Sequence, residues 1–257
     1  MVDHQELIRS EFTRQAETLG SAKYFTDAEI LARIREAAGL TRSRRALDVA
    51  CGPGIVAEAL AQDGGEVIAC DITPQMLARA AQRFSSARLD HVRCVLGKAE
   101  VLPFAAASFD VVFTRSSLHH FPRPVAALRE MARVLRTPGR AVIMDTTSSE
   151  DAEESALHNA LEMLRDPSHV RMMPKSELLA HVAAAGLEVK SATGWTNHQE
   201  LEAWLRTVNA PERAGPLRSI MAALARAGLR AGINLRLEGD RLLFDHHPLL
   251  LVAEKPR

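Results

Sequence analysis

The chain has 257 residues, 47% of them hydrophobic and 25% charged, with a formal net charge of zero. That length can bury a large core, and the balance is that of an ordinary globular protein rather than a disordered or fibrous one. Scattered Lys and Arg argue against nucleic acid, and no apolar run reaches the ~18 residues of a membrane span.

The polar N-terminus lacks a signal-peptide pattern, so a cytoplasmic protein is expected. Residues 4–19 read as a helix with Ile8, Phe12 and Leu19 on one face. A loop around Gly20–Thr26 carries Tyr24 and Phe25, and a second helix, Asp27–Ala38, stops at Gly39. Elements then alternate: strand 46–50, helix 55–62, strand 66–70, helix 74–84, strands 91–96 and 109–114, helix 124–135 and strand 140–145. That order predicts right-handed βαβ crossovers and a parallel sheet. Pro74 after Thr73 is a helix start, with Thr73 as N-cap and Pro at the first helical position.

After residue 148 the pattern changes. Helices are expected over 150–164, 175–185, 199–208 and 217–229, with a strand at 187–192. Asp166-Pro167-Ser168 breaks the first of these helices. Glu238-Gly239-Asp240 reads as a hairpin turn between 235–237 and 241–244, and 249–253 as a last, antiparallel strand. The expectation is one unit: a helical lid (1–40), a ligand-binding core (41–148), a helical cover (149–232) and a closing hairpin (233–257).

The chemistry concentrates in residues 46–54, Ala-Leu-Asp-Val-Ala-Cys-Gly-Pro-Gly. Gly52, Gly54 and Ala57 match the G-x-G-x-x-G/A spacing of a nucleotide-binding βα turn. Alone, that match also fits NAD or FAD, or a plain tight connection. Asp48 lies on the strand, where it could receive an ammonium group. Asp71 ends the next strand, where a carboxylate accepts from both ribose hydroxyls. The pair suits a cofactor with adenosine at one end and an amino acid at the other, such as S-adenosylmethionine.

Further segments follow in order: Gly97-Lys98-Ala99-Glu100-Val101-Leu102-Pro103-Phe104, Ser108-Phe109-Asp110, Ser117-Leu118-His119-His120-Phe121 and Arg133-Val134-Leu135-Arg136-Thr137-Pro138-Gly139. The series resembles the class I S-adenosylmethionine-dependent methyltransferases, nearest the bacterial group around ubiquinone and menaquinone biosynthesis. The resemblance covers about residues 44–145. It implies a doubly wound α/β fold, Rossmann-like, with a mostly parallel seven-stranded sheet and a final antiparallel strand. It also implies that Asp48, Ala50 and Gly52 line the methionine end of the cofactor, with Gly54 in the cofactor-binding set. Asp71 would hold the ribose, Ile72 and Met76 would pack near adenine, and Lys98, Ala99 and Glu100 would lie at the adenine edge. Tyr24, Arg115 and His119 would complete the cofactor set. Ala50 stands where the family usually has glycine, and Lys98 where it usually has aspartate. Lysine has no acceptor, so its ammonium should face solvent or Glu100.

The implied reaction is methyl transfer to an oxygen, nitrogen or carbon of a small molecule. Two alternatives stay open: a same-fold enzyme using the cofactor for other chemistry such as cyclisation, and a non-enzymatic protein with a relic cofactor site. If a base is needed, His169 ranks first and His120 second, with Arg171 as an anion clamp. Met163, Met172 and Met173 are candidate acceptor walls. His246 and His247 read as peripheral, Trp195 and Trp204 as core or interface residues. Cys51, Cys70 and Cys94 fit no zinc spacing, so no metal is expected. Cys70 and Cys94 read as core thiols. A homodimer is left open.

Overall fold

A computed structural model describes residues 3–256. In chain order its elements are α1 (His4–Gln15), α2 (Lys23–Thr26), α3 (Ala28–Ala38), β1 (Arg45–Val49), α4 (Ile55–Ala61), β2 (Glu66–Asp71), α5 (Pro74–Ser86), β3 (Val92–Leu96), β4 (Phe109–Arg115), α6 (Pro124–Val134) and β5 (Leu135–Thr147). There follow α7 (Ala152–Arg165), α8 (Lys175–Ala184), β6 (Glu188–Gly194), β7 (Asn197–Glu200), α9 (Leu201–Thr207), α10 (Pro211–Arg226), β8 (Arg236–Glu238) and β9 (Arg241–Glu254).

The main sheet has the strand order β3-β2-β1-β4-β5-β9-β6, with β7 and β8 also paired to β9. Strands β1 to β5 are mutually parallel, and β9 runs antiparallel to β5 and β6. The expected mostly parallel sheet with its last strand reversed is therefore present. The order reverses at β1, between β2 and β4, and such a switch point is where open α/β sheets bind ligands.

The inner strands are apolar on both faces because helices cover both. Leu47, Val112, Ile143 and Leu251 pack with Leu128 and Met131 of α6 and Val182 of α8. On the other face Ala46, Val67, Val111 and Val142 meet Ile34 of α3, Leu60 of α4 and Phe84 of α5. A third cluster joins α7, α9 and α10 through Leu161, Trp204, Leu217 and Met221 around Phe244 of β9. Cys94 is a correction: it lies exposed on edge strand β3, whereas Cys70 is buried as expected.

The C-terminal half departs most from the sequence reading. The hairpin arm and final strand are one 14-residue strand, β9, running through Pro248. Proline cannot donate to a ladder, but here it falls where partners change. Residues up to His246 pair with β7, and those from Leu249 onward with β6. Residues 199–200, read as the start of a helix, belong to β7. Helix α10 begins at Pro211, not 217, and tolerates Pro216 near its exposed N-terminal end.

Candidate functional site

The loops after β1, β2, β4 and β5 open into one cavity of about 1160 Å³, closed over by α1, α2 and the segments around 166–172 and 196–207. Pockets for one drug-sized ligand run ~300–1000 Å³, so this space accommodates a cofactor and an acceptor together.

Its floor is the glycine turn. Ala50 and Gly52 both have positive φ, +55° and +54°. Alanine is strained there, which accounts for the glycine usual at position 50 in the family it resembles. A Cβ on Gly52 would meet nothing within 4 Å, so its backbone lies open to the cavity. Gly54 differs: a Cβ would strike the Phe84 ring at 2.6 Å and Ala80 at 2.9 Å. Gly54 is thus required for the packing of α5 against the turn and does not line the cavity.

Asp71 organises this floor. Its Oδ2 accepts the Gly52 N–H at 2.9 Å and its Oδ1 the Thr73 N–H at 2.8 Å. Burial raises its pKa, and the N–H bonds from Thr73 and Gly52 oppose that rise. Its remaining lone pairs are available to a ligand in the cavity. Asp48 is buried at the end of β1 with its Oδ2 unpartnered. Burial is the main force pushing its pKa up to about 8, with nearby Asp71 adding and Arg115 opposing. A buried carboxyl with a free oxygen is a ready receiver for a cationic ligand group.

Arg115, at the end of β4, turns toward the N-terminal helices. Its guanidinium donates to the carbonyls of Phe25 at 3.0 Å and Tyr24 at 2.9 Å, and stacks over both rings at 5.1 Å. It therefore fixes α2 against the sheet, and Tyr24 presents a buried, unpartnered hydroxyl in the cavity wall. Ile72, Ala99 and Glu100 also line the cavity, whereas Met76 lies fully buried and Lys98 outside its lining.

The opposite wall holds three imidazoles. His119 is centred 4.4 Å from His120 and 5.4 Å from His169. The His119 Nδ1 lies 2.5 Å from Asp145 Oδ1, and its backbone N–H is 3.3 Å from Oδ2. A carboxylate accepts, so Nδ1 carries a proton and Nε2 is the ring's free acceptor on the cavity side. Burial lowers the His119 pKa, but the charge and hydrogen bond of Asp145 outweigh it, and the net shift is upward.

His169 donates through Nε2 to Asn159 Oδ1 at 2.8 Å. The amide is oriented by its own donors, since Nδ2 bonds the Ser155 and Met172 carbonyls. Burial, with His119 adding, drives the His169 pKa down to about 3. The His120 Nδ1 donates to the Ser168 carbonyl at 3.0 Å, and burial with His119 lowers its pKa to about 4. Both are neutral but weakly basic at pH 7, and neither ring holds a carboxylate. The structure thus pairs a carboxylate with His119 rather than with His169 or His120, the two residues named as bases from the sequence. Asp145 was missed. Its signal was its place at the C-terminal end of β5, on the ligand-binding edge.

Arg171 is also corrected. Its guanidinium pairs with Glu177 at the surface and does not line the cavity. Arg171→Ala is expected to leave turnover unchanged and stability within ~1 kcal/mol, as for an exposed ion pair; urea melts and a rate assay check this. Of the three methionines only Met172 faces the cavity, since Met163 is exposed and Met173 sits in the sheet core. His246, read as peripheral, is buried beside Glu162.

A family profile described as a methyltransferase domain matches residues 47–143, the stretch carrying the floor and the His119 wall. An uncharacterised methyltransferase of Bacillus subtilis, YcgJ, is 33% identical over 200 residues, covering 78% of this chain and 79% of its own. The chain belongs to the methyltransferase family. The crystal structure of YcgJ superposes with a TM-score of 0.82 at 29% identity, covering 89% of this chain and 99% of that one. A putative methyltransferase from Bacillus halodurans gives 0.83 at 29% identity, over 90% and 100%. A ubiquinone biosynthesis O-methyltransferase of Pseudomonas aeruginosa is 33% identical over 171 residues, covering 63% of this chain and 72% of its own. In this methyltransferase the family match ends at residue 143, so Asp145 and the whole 150–207 wall of the cavity lie outside it.

Proposed function

We propose that this methyltransferase moves a methyl group from S-adenosylmethionine to an oxygen or other nucleophilic atom of a small molecule. The observation that carries the reading is that the acidic groups of the floor and the His119–Asp145 pair of the wall meet at one cavity. The floor fits the cofactor: Asp71 has lone pairs for the ribose hydroxyls, and the unpartnered Asp48 oxygen awaits an ammonium group. When bound, the cofactor supplies a methyl already activated by a positively charged sulfur. The chain's residues then align and desolvate. Alignment of two reactants alone can remove ~7–11 kcal/mol of barrier. The N-terminal helices act as a lid: Phe12, Tyr24 and Phe25 exclude water from above. Where the acceptor carries a proton, His119 Nε2 takes it, and Asp145 stabilises the imidazolium.

Asp48 gives this reading a test. With its pKa at about 8 in the free protein, Asp48 is mostly protonated at pH 7. A bound ammonium group favours the carboxylate, so cofactor binding releases a proton. Calorimetry at pH 7 in two buffers of different ionisation heat should show that release, and Asp48→Asn should abolish it. Heats independent of buffer would remove Asp48 from the ammonium site. Formation of S-adenosylhomocysteine with phenolic, quinol or small-acid acceptors then tests the transfer itself; a panel that yields none would count against it.

A further inference from the structure

His158 and Glu162 stand one turn apart on α7, at i and i+4, and therefore on one helix face. His246 of β9 faces them. Each of the three is at least nine-tenths buried. Both ring nitrogens of His158, the Oε1 of Glu162 and the Nε2 of His246 have no hydrogen-bond partner. Buried polar side-chain atoms are almost always partnered, so four unpartnered ones in one cluster of three side chains ask for a reason.

Hydrogen bonding among the three does not supply it. Glu162 Oε1 is 3.6 Å from His158 Nε2, too far for a bond. It is 3.1 Å from His246 Nε2, but too poorly aligned to count as one. These separations suit a different geometry. Ligand bonds of about 2.0–2.2 Å in a tetrahedral site place neighbouring donor atoms roughly 3.3–3.5 Å apart. One donor atom from each residue falls within 4.8 Å of the others. The second carboxylate oxygen is held by Arg165 at 3.1 Å, and that guanidinium is itself seated over Trp204. Arg165 thus turns Oε1 toward the histidines, as partners of metal-binding carboxylates commonly do.

We propose that His158, Glu162 and His246 form a binding site for a divalent first-row transition metal, Zn²⁺ or a close relative. Two imidazoles and one carboxylate are the donor set of catalytic zinc and of non-haem iron centres, which keep positions open for an exogenous ligand. Glu162 and His246 line the large cavity, so an open position faces it. An oxygen ligand such as a phenolate or carboxylate would bind there. This last step rests on the proposed small-molecule acceptor; the metal site does not.

The test uses the full chain without an affinity tag, stripped with chelator and titrated with Zn²⁺ and with Co²⁺ in the absence of any acceptor. One equivalent should bind, with the visible bands of four-coordinate Co²⁺. Glu162→Gln preserves the side-chain shape, and His246→Gln keeps a polar group. Each should weaken binding at least ~10-fold, while circular dichroism shows a folded chain. His91→Ala, at an exposed imidazole away from the cavity, should leave it unchanged. A folded wild-type chain that binds neither ion would overturn the proposal. So would an equivalent that survives in both the Glu162 and His246 variants. Either result leaves the methyltransferase reading intact, because cofactor binding and methyl transfer are measured separately.

Discussion

Replacing His119 by alanine is expected to lower turnover on a proton-bearing acceptor by about 100-fold or more, the range for a lost general base. Cofactor affinity should be largely retained, because the floor contacts of Asp48 and Asp71 stay in place. The pH dependence distinguishes a base from a packing residue. A base must be neutral to act, and Asp145 holds the His119 pKa above its ordinary value. The rate should therefore rise with pH through an apparent pKa above 6.5. Asp145→Asn removes the anion that favours the charged ring, so the same limb should move to lower pH while its plateau falls. Kinetics of both variants across pH 5–9 read this out. An unshifted limb in Asp145→Asn, or full activity in His119→Ala, would show that alignment alone suffices.

Asp71→Ala should weaken cofactor binding by at least ~10-fold, and more where both hydroxyls are lost. A hydrogen bond to a charged group contributes about 1.5–3 kcal/mol, and 1.4 kcal/mol is tenfold in affinity. The variant also orphans the Gly52 and Thr73 N–H groups, so the glycine turn loses its anchor. Asp71→Asn separates the two effects. Its amide oxygen can keep one of those backbone bonds while the carboxylate charge is gone. Calorimetry should then find an intermediate affinity. Unchanged affinity in Asp71→Ala would remove this residue from the ribose.

The parallel half of the fold was legible because each of its elements is local. Apolar runs such as Glu66–Cys70, turns such as Pro53-Gly54 and helix starts such as Pro74 each state their own geometry, although Thr73 takes the N-cap position without a side-chain cap bond. The strand-end acids and glycines followed from the same logic. The C-terminal half was less legible because its strands are specified by partners far away in sequence. Pro248 looks like a break until β7 and β6 are seen to meet there. The His119–Asp145 pair joins residues 26 apart through adjacent parallel strands, and no spacing rule announces it. His246 looked peripheral for the same reason: its neighbours His158 and Glu162 come from a helix some 84 or more residues upstream. Lys98, placed at the adenine edge by the resemblance, lies outside the cavity lining.

The unbroken course of β9 bears on how molecules get in and out. Its first residues pair with β7 and β8 beside α9, and its last ones with β5 and β6 of the main sheet. A strand common to both regions ties them into one stiff body, so they cannot part like two jaws. The N-terminal segment has no strand of its own. It is joined through side chains: the buried Glu11 carboxylate takes two bonds from Arg213, Gln15 bonds Asp166, Thr18 the Thr207 carbonyl, Arg115 holds Tyr24 and Phe25, and Ile8 and Ala16 are buried. We infer that opening of the cavity falls to residues 3–27, which no backbone–backbone hydrogen bond joins to the sheet.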